Sequence, residues 1–378
     1  MSRKLVLVGG GHAHVQVIRA LAEHPEPDLS VTLVTDRLLT PYSGMLPGYI
    51  AGFYSHAGMH IDLGRLARVS GVSLVPSAAN GIDRASRHVR TDDGRTIPYD
   101  ILSLNTGVTP DLSGIAGAGE HGIAVKPIST FLERLDALLA DATRLDGPRR
   151  IVVVGGGAAG IELAFALKAR LRRIETARRP FWIAIAAGSR LVPTLNAGVR
   201  LRVRAALARQ GVTVIDAFRV VDINADGIRA ADGRFIEADA VLISTAAKAP
   251  DWLGETGLAT TTGGFLAIAP TLASISDPAI FAVGDCATVI SDPMPKAGVF
   301  AVRQGQALTG NIRRALRGEP LAPHRPDRNF LTILMTGDGS AIAGRGAWLA
   351  VEGRWVWRWK DWIDRRFMQR FSEFRRER

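Results

Sequence analysis

The chain has one cysteine, Cys286, among 378 residues. No intrachain disulfide is available to it, and neither is a redox-active cysteine pair. That excludes the chemistry of disulfide reductases and of sulfide-oxidising flavoproteins, both of which work through paired thiols. Cys286 follows Gly284-Asp285 in an apolar stretch and reads as a small buried hydrophobe. Lysine is scarce as well, with six residues among the 47 basic ones, so the formal charge of +11 is carried by arginine. Such a bias fits a GC-rich genome as readily as a site for an acidic ligand. No apolar run reaches the roughly 18–20 residues that a membrane-spanning helix needs. No signal-peptide pattern opens the chain. The expected location is therefore the cytoplasm, with contact at the inner face of the membrane left open. No nucleic-acid-binding motif accompanies the positive charge, which removes nucleic acid from the expected partners. His12 and His14 have no further ligand-type residues near them in sequence, so no metal site is expected.

What the chain does have is two glycine-rich loops 146 positions apart, Val8-Gly9-Gly10-Gly11-His12-Ala13-His14 and Val154-Gly155-Gly156-Gly157-Ala158-Ala159-Gly160. Each follows an apolar run and opens an apolar-periodic helix. In such loops the first glycine (Gly9, Gly155) permits the tight turn out of the strand. The second (Gly11, Gly157) lets the backbone approach a pyrophosphate, and the third (Gly160) lets helix and strand pack closely. The phosphate then rests on free amides at the helix N-terminus. The second loop satisfies G-x-G-x-x-G. The first places His14 at the third glycine, so its helix must pack differently. Two loops in strand–loop–helix context predict two bound dinucleotides, the arrangement that sets a nicotinamide beside a flavin.

The rest of the sequence repeats this plan. Val31-Thr32-Leu33-Val34 reads as a second strand, residues 72–102 as antiparallel strands turning at Asp92-Asp93-Gly94, and Tyr99 to Gly107 as a core strand. A helix is predicted over Thr130–Arg144, closed by Gly147-Pro148. From Arg149 come a strand, a loop, a helix to Arg173, a strand at Phe181–Ala186, a hairpin turn at Asp232-Gly233 and a strand at Ala238–Thr245. Length and pattern predict an α/β protein with two Rossmann-like dinucleotide-binding domains. The flavin domain is expected over residues 1–115 and 270–325, the nicotinamide domain over 116–269. Residues 326–378 are expected to form a β-hairpin, turning at Gly337-Asp338-Gly339, and a basic amphipathic segment.

These motifs, with the late box Ile280-Phe281-Ala282-Val283-Gly284-Asp285, resemble the FAD-dependent pyridine nucleotide-disulfide oxidoreductase superfamily over residues 1–320. Within it the chain is similar to type II NADH dehydrogenases and to a bacterial group found with, or fused to, selenophosphate synthetase. Thr40-Pro41-Tyr42-Ser43-Gly44-Met45-Leu46-Pro47-Gly48 and Trp357-Arg358-Trp359-Lys360-Asp361 resemble that second group. The resemblance implies non-covalent FAD held by Gly9, Gly11, His12, Ala13, Pro41, Thr106, Gly107, Gly284, Asp285, Gly298 and Val299. Asp285 would accept a hydrogen bond from the ribitol chain. It also implies hydride transfer from NADH or NADPH to flavin and on to an acceptor, a quinone among the candidates. The other outcomes it leaves open are a soluble reductase of selenium metabolism and a flavoprotein that acts as an interaction or redox-sensing subunit.

The departures from the family pattern carry their own expectations. A ribose-binding acid is usual at the end of the second strand. Here that position is Thr35, with Asp36 one step on. In the second half, Ile183-Ala184-Ile185-Ala186-Ala187-Gly188 has no acid, and Arg190 nearby can accept a 2′-phosphate or simply lie on the surface. Glu162 either assists proton movement near the flavin–nicotinamide contact or complements its helix dipole, worth about 0.3–1 kcal/mol. Lys126 either offsets charge on a reduced flavin or sits on the surface. Two of the positions that contact quinone in type II NADH dehydrogenases read Val299 and Arg303, and Gln304 remains.

Arg354 to Arg378 holds nine basic and four acidic residues. Trp355, Trp359, Trp362, Ile363, Phe367, Phe371 and Phe374 follow helical spacing. Such a helix can lie on the protein's own surface, on a membrane, or on a partner such as selenophosphate synthetase. A homodimer is also compatible with the sequence.

Overall fold

The computed structural model describes residues 2–175, 180–245 and 247–374. Two five-stranded sheets, each parallel throughout, organise it. The first runs in the order Ile280–Ala282, Ile101–Leu104, Arg3–Val8, Leu29–Val34, Ser73–Val75. The second runs Gly122–Ala124, Ala240–Ile243, Arg150–Val154, Trp182–Ala186, Val212–Ile215. The central strands read as unbroken apolar runs because helices cover both their faces. Leu5, Leu7, Ile151 and Val153 are wholly buried. The equivalent order of the two sheets is the structural form of the sequence duplication. In both, the loop-bearing strand lies at the centre, so each glycine loop opens at the carboxyl end of a sheet, where α/β folds bind ligands.

Several local expectations shift. The helix predicted over Thr130–Arg144 runs over Ile128–Asp141. Ser73–Val75, expected in an antiparallel set, pairs parallel with Leu29–Val34, since Val75 fills the edge of the buried sheet. The antiparallel strands begin at Ala79–Asp83 and continue through His88–Thr91 and Thr96–Pro98, with Gly94 at φ +81° in the turn. The expected C-terminal hairpin is a three-stranded sheet, Thr332–Met335, Ala341–Arg345 and Leu349–Gly353. The third strand is needed to complete the surface that receives the last helix.

That helix, Arg354–Ser372, lies on the protein itself. Val356, Lys360, Asp364, Phe367, Met368 and Phe371 face inward, and Arg65 holds the end of the helix through Phe371 O and Phe374 O at 2.8 and 3.0 Å. The aromatic face read from the sequence is therefore split. Phe367, Phe371 and Phe374 are buried, whereas Trp355, Trp359 and Trp362 are 56%, 37% and 56% exposed. The last four residues of the basic tail lie outside the described residues.

The helices His12–Glu23 and Gly298–Arg317 pack against one another and bring two N-termini to one place. Gly305 permits the close approach, because a Cβ there would meet Gln16 Nε2 at 2.6 Å.

Candidate functional site: a cavity at the first glycine loop

Gly9 takes φ +90°, and a Cβ on it would strike Asn105 O at 2.5 Å. Any side chain at Gly11 would strike Asn105 Oδ1 at 2.2 Å. Asn105 is the hub of this corner: its Oδ1 accepts from Ala13 N at 3.2 Å and its Nδ2 donates to Val283 O at 2.9 Å. The carboxamide thus ties two parallel strand ends to the first helix, and the Asn105 backbone N–H adds the third by donating to Val8 O at 2.8 Å. Ala13, expected among the FAD-holding residues, spends its N–H on Asn105 and does not line the cavity above the loop. His14, in place of the third glycine, is buried with both ring nitrogens used, on Gly9 O at 2.6 Å and Ser103 Oγ at 2.8 Å. Burial pushes its pKa down to about 4, so it is a neutral packing element.

Above this loop lies a cavity of about 410 Å³. Gly9, Gly11, His12, Thr35, Asp36, Pro41, Thr106, Gly107, Lys126, Asp285 and Gly298, all expected site residues, line it. Gly284 stands behind Asp285 with φ +71°, where a Cβ would meet Asn105 Nδ2 at 2.5 Å. Thr35 bonds locally, its Oγ1 donating to Arg37 O at 3.2 Å, and exposed Asp36 pairs with Arg37 at 3.4 Å. Lys126 Nζ donates to Asp285 Oδ2 at 2.6 Å. Lys126 is thus neither a loose surface charge nor unpartnered.

At the inner end His12 touches Ser43 Oγ through Nε2 at 3.3 Å, and its ring lies 5.3 Å from Tyr42 and 6.3 Å from Phe367. Burial pushes the His12 pKa down to about 4, with Asp285 opposing and Lys126 reinforcing the shift. Gly298 opens its helix here without a side-chain cap, and a Cβ on it would meet Ser43 Oγ at 2.6 Å. Its neighbour Val299 does not line the cavity. Gln304 points away: its Oε1 accepts from Gly284 N at 2.6 Å and holds the turn that presents Asp285. Arg303 pairs with Asp327 at 3.6 Å.

A second polar cluster sits behind Tyr42. Lys360 Nζ donates to Gly44 O and to Asp364 Oδ2, both at 2.6 Å. Phe367 stacks on Tyr42 at 4.6 Å, and burial with Asp364 nearby raises the Tyr42 phenol. Glu162 joins from the other side; it lies past the first turn of the helix Ala158–Leu171, which holds no acid, so it is not placed to complement the helix dipole. Its Oε1 accepts from Met335 N at 2.9 Å. Burial pushes its pKa up to about 7; Lys360 and the Met335 amide pull it down and Asp364 pushes it up. Sequence reasoning missed Asn105 as a bridge and Lys360–Asp364 as a buried pair. The i,i+4 spacing of Lys360 and Asp364 was the only local signal.

The second loop is shaped like the first. Gly155 (φ +127°) would strike Ser244 O at 2.4 Å with a Cβ, and Gly160 would strike Gly155 O at 2.1 Å. Gly157 has open space where its Cβ would point. Arg190 is exposed in the bend after Trp182–Ala186. None of these residues lines the cavity of the first loop.

The first cavity fits FAD on its own atoms. Among its buried polar groups, His12 Nδ1 and Thr106 Oγ1 have no partner within the described protein, and two uncapped helix N-termini converge on it. Two such loops, two doubly wound sheets and this cavity define an FAD-dependent NAD(P)H oxidoreductase. The chain belongs to the pyridine nucleotide-disulphide oxidoreductase family, whose model matches residues 3–305. It is 24% identical over 360 residues to a type II NADH:quinone oxidoreductase of Staphylococcus epidermidis, covering 90% of this chain and 89% of that protein. Its fold is similar to that of the sulfide:quinone oxidoreductase of Aquifex aeolicus (TM-score 0.81, 19% identity, 98% and 92% of the two chains). It is likewise similar to NDH2 from Plasmodium falciparum in complex with NADH (TM-score 0.80, 13% identity, 98% of each chain).

Proposed function

We propose that this oxidoreductase passes electrons from NAD(P)H to a quinone drawn from a membrane surface, with the second glycine loop holding the nicotinamide nucleotide. The observation that carries the acceptor is the two-faced C-terminal helix. Outward it presents Trp355, Trp359 and Trp362 among arginines, the composition of a helix lying in a bilayer interface. Inward, Phe367 of the same helix stacks on Tyr42 and approaches His12 at the end of the cavity. A lipid-soluble acceptor held at the outer face is thereby brought near the flavin site. No described helix is long and apolar enough to cross a membrane. Similarity to quinone-reducing proteins supports the same acceptor.

FAD, when bound on Gly9, Gly11, Thr106 and Asp285, would supply the two-electron redox chemistry between nicotinamide and acceptor. The protein's part is positioning and charge. The amides at Gly298 point their positive helix end into the cavity. Lys126 holds Asp285 for the ribitol and keeps a cation beside the site. Glu162, with a pKa near 7, can hold or release a proton at working pH.

Anaerobic stopped-flow mixing with NADH and NADPH tests the first half; flavin absorbance that neither nucleotide bleaches would end this reading. Re-oxidation by a short-chain quinone and by selenite then separates a quinone acceptor from the selenium-linked one that the family resemblance suggested. Faster re-oxidation by selenite would overturn the quinone.

A further inference from the structure

Three segments converge beside the second glycine loop. Val192 N donates to Gly156 O at 2.7 Å, which fastens the bend 188–192 to the loop itself. Phe218 N donates to Ala187 O at 2.8 Å, and a Cβ on Gly188 would lie 3.8 Å from Arg219 Cα. Arg190 and Arg219 therefore flank the carboxyl end of the strand Trp182–Ala186, where the adenosine ribose of a nucleotide seated on Gly155–Gly160 must lie. An acid there would bind the 2′- and 3′-hydroxyls. The residues present are Ala186, Ala187, Gly188 and Ser189.

The charge around this strand end is one-sided. Asp216 is held in a two-pronged contact with Arg204 at 2.9 and 3.0 Å. Asp232 is held by Arg234 at 2.8 Å. Both nearby carboxylates are thus already neutralised. Arg190 and Arg219 are exposed, and neither makes an ion pair or hydrogen bond through its guanidinium among the described residues. Two guanidinium groups free among the described residues, no acid and small side chains between them suit a dianionic phosphate monoester and leave a bare diol without a carboxylate to accept from it.

We propose that Arg190 and Arg219 form a clamp for the 2′-phosphate, making NADPH the preferred reductant. The inference rests on the reading that Gly155–Gly160 holds the nicotinamide nucleotide. The clamp distinguishes the two nucleotides 2′-phosphate by 2′-hydroxyl and leaves the hydride-donating end alike.

The test is the rate of flavin reduction by each nucleotide, in the holoprotein and in Arg190→Ala and Arg219→Ala. Both positions are exposed, and neither guanidinium has a partner among the described residues, so the folded state is retained. Second-order rate constants are expected to favour NADPH by at least about tenfold, and each substitution should shift the NADPH/NADH ratio toward NADH by about tenfold. Binding of 2′,5′-ADP against 5′-AMP, followed by calorimetry, should show the same order and the same loss, without any flavin chemistry. A wild-type preference for NADH, or a ratio unmoved by both substitutions, overturns the clamp and leaves hydride transfer intact. Reduction by neither nucleotide overturns the clamp together with the reading beneath it.

Discussion

Lys126 Nζ lies 2.6 Å from Asp285 Oδ2, across 159 residues of sequence. Lys126 closes the connection that leaves the first half of the chain, and Asp285 ends the late apolar box that returns to it. The pair closes one wall of the cavity, and His12 feels both charges. Asp285→Asn removes the charge that fixes Lys126 and weakens the acceptor proposed for the ribitol. FAD retention should fall about tenfold, the scale of one charge-assisted hydrogen bond of about 1.5 kcal/mol. The measurement is the flavin-to-protein absorbance ratio after dialysis. Retention equal to wild type would remove Asp285 from the site.

Glu162 supplies a pH prediction. Its carboxyl is raised from 4.5 to about 7 in the folded state, chiefly by burial. Between these values the folded protein holds a proton that the unfolded chain has lost. Stability from this group is therefore present below about pH 4.5, declines as pH rises toward 7, and stays low above it. Glu162→Gln keeps an oxygen for Met335 N and has no charge to bury. The variant should unfold at a higher temperature than wild type at pH 8 and with no such difference at pH 4.5. The gap at pH 8 is on the order of 2 kcal/mol. In reductase assays it should also flatten the pH dependence near 7.

Two glycines of the second loop separate packing from ligand approach. Gly160→Ala drives a Cβ to 2.1 Å from Gly155 O, and the overpacking should cost on the order of 2 kcal/mol. Gly157→Ala meets open space and should cost about 1 kcal/mol or less as a changed N-cap. Its Cβ would stand where a pyrophosphate approaches, so the KM for the nicotinamide nucleotide should rise about tenfold with flavin content unchanged. Denaturant melts and steady-state kinetics on the two variants check both halves.

The outward tryptophans predict vesicle binding. Replacing Trp355, Trp359 and Trp362 by serine leaves the buried face of the helix untouched. Co-sedimentation with phosphatidylglycerol-containing vesicles should fall about tenfold or more, because three interfacial aromatic anchors are lost. Salt should weaken wild-type binding in part, through the arginines. Equal partitioning of the two proteins would sink the membrane contact and with it the main support for a lipid-soluble acceptor.

Much of the cofactor cavity was legible in the sequence because the glycine loops, Thr106-Gly107 and Gly284-Asp285 are local motifs whose backbone shape is their function. The first sheet's parallel core was equally plain in its unbroken apolar strands. Ser73–Val75 was misread because three residues carry no usable periodicity, and its partner strand lies about forty positions upstream. The C-terminal helix was recognised, but its inward face was not. Periodicity grouped the tryptophans with the phenylalanines, whereas the three-stranded sheet, Gly44 O and the Tyr42 ring select Lys360, Asp364 and Phe367 for the interior.

The sequence by itself determined that two dinucleotide loops exist, that the chain has no thiol pair of its own, and that the second strand end lacks an acid. These are properties of residue type and short-range spacing. Only the tertiary structure decided which charges meet. It joined Lys126 to Asp285, seated Lys360 beside Asp364 near Glu162, turned Gln304 to the Gly284 amide, and left the Arg190 and Arg219 guanidinium groups without partners among the described residues. Each depends on contacts made across the fold, where burial and distance set the strength of a charge and no linear pattern records either.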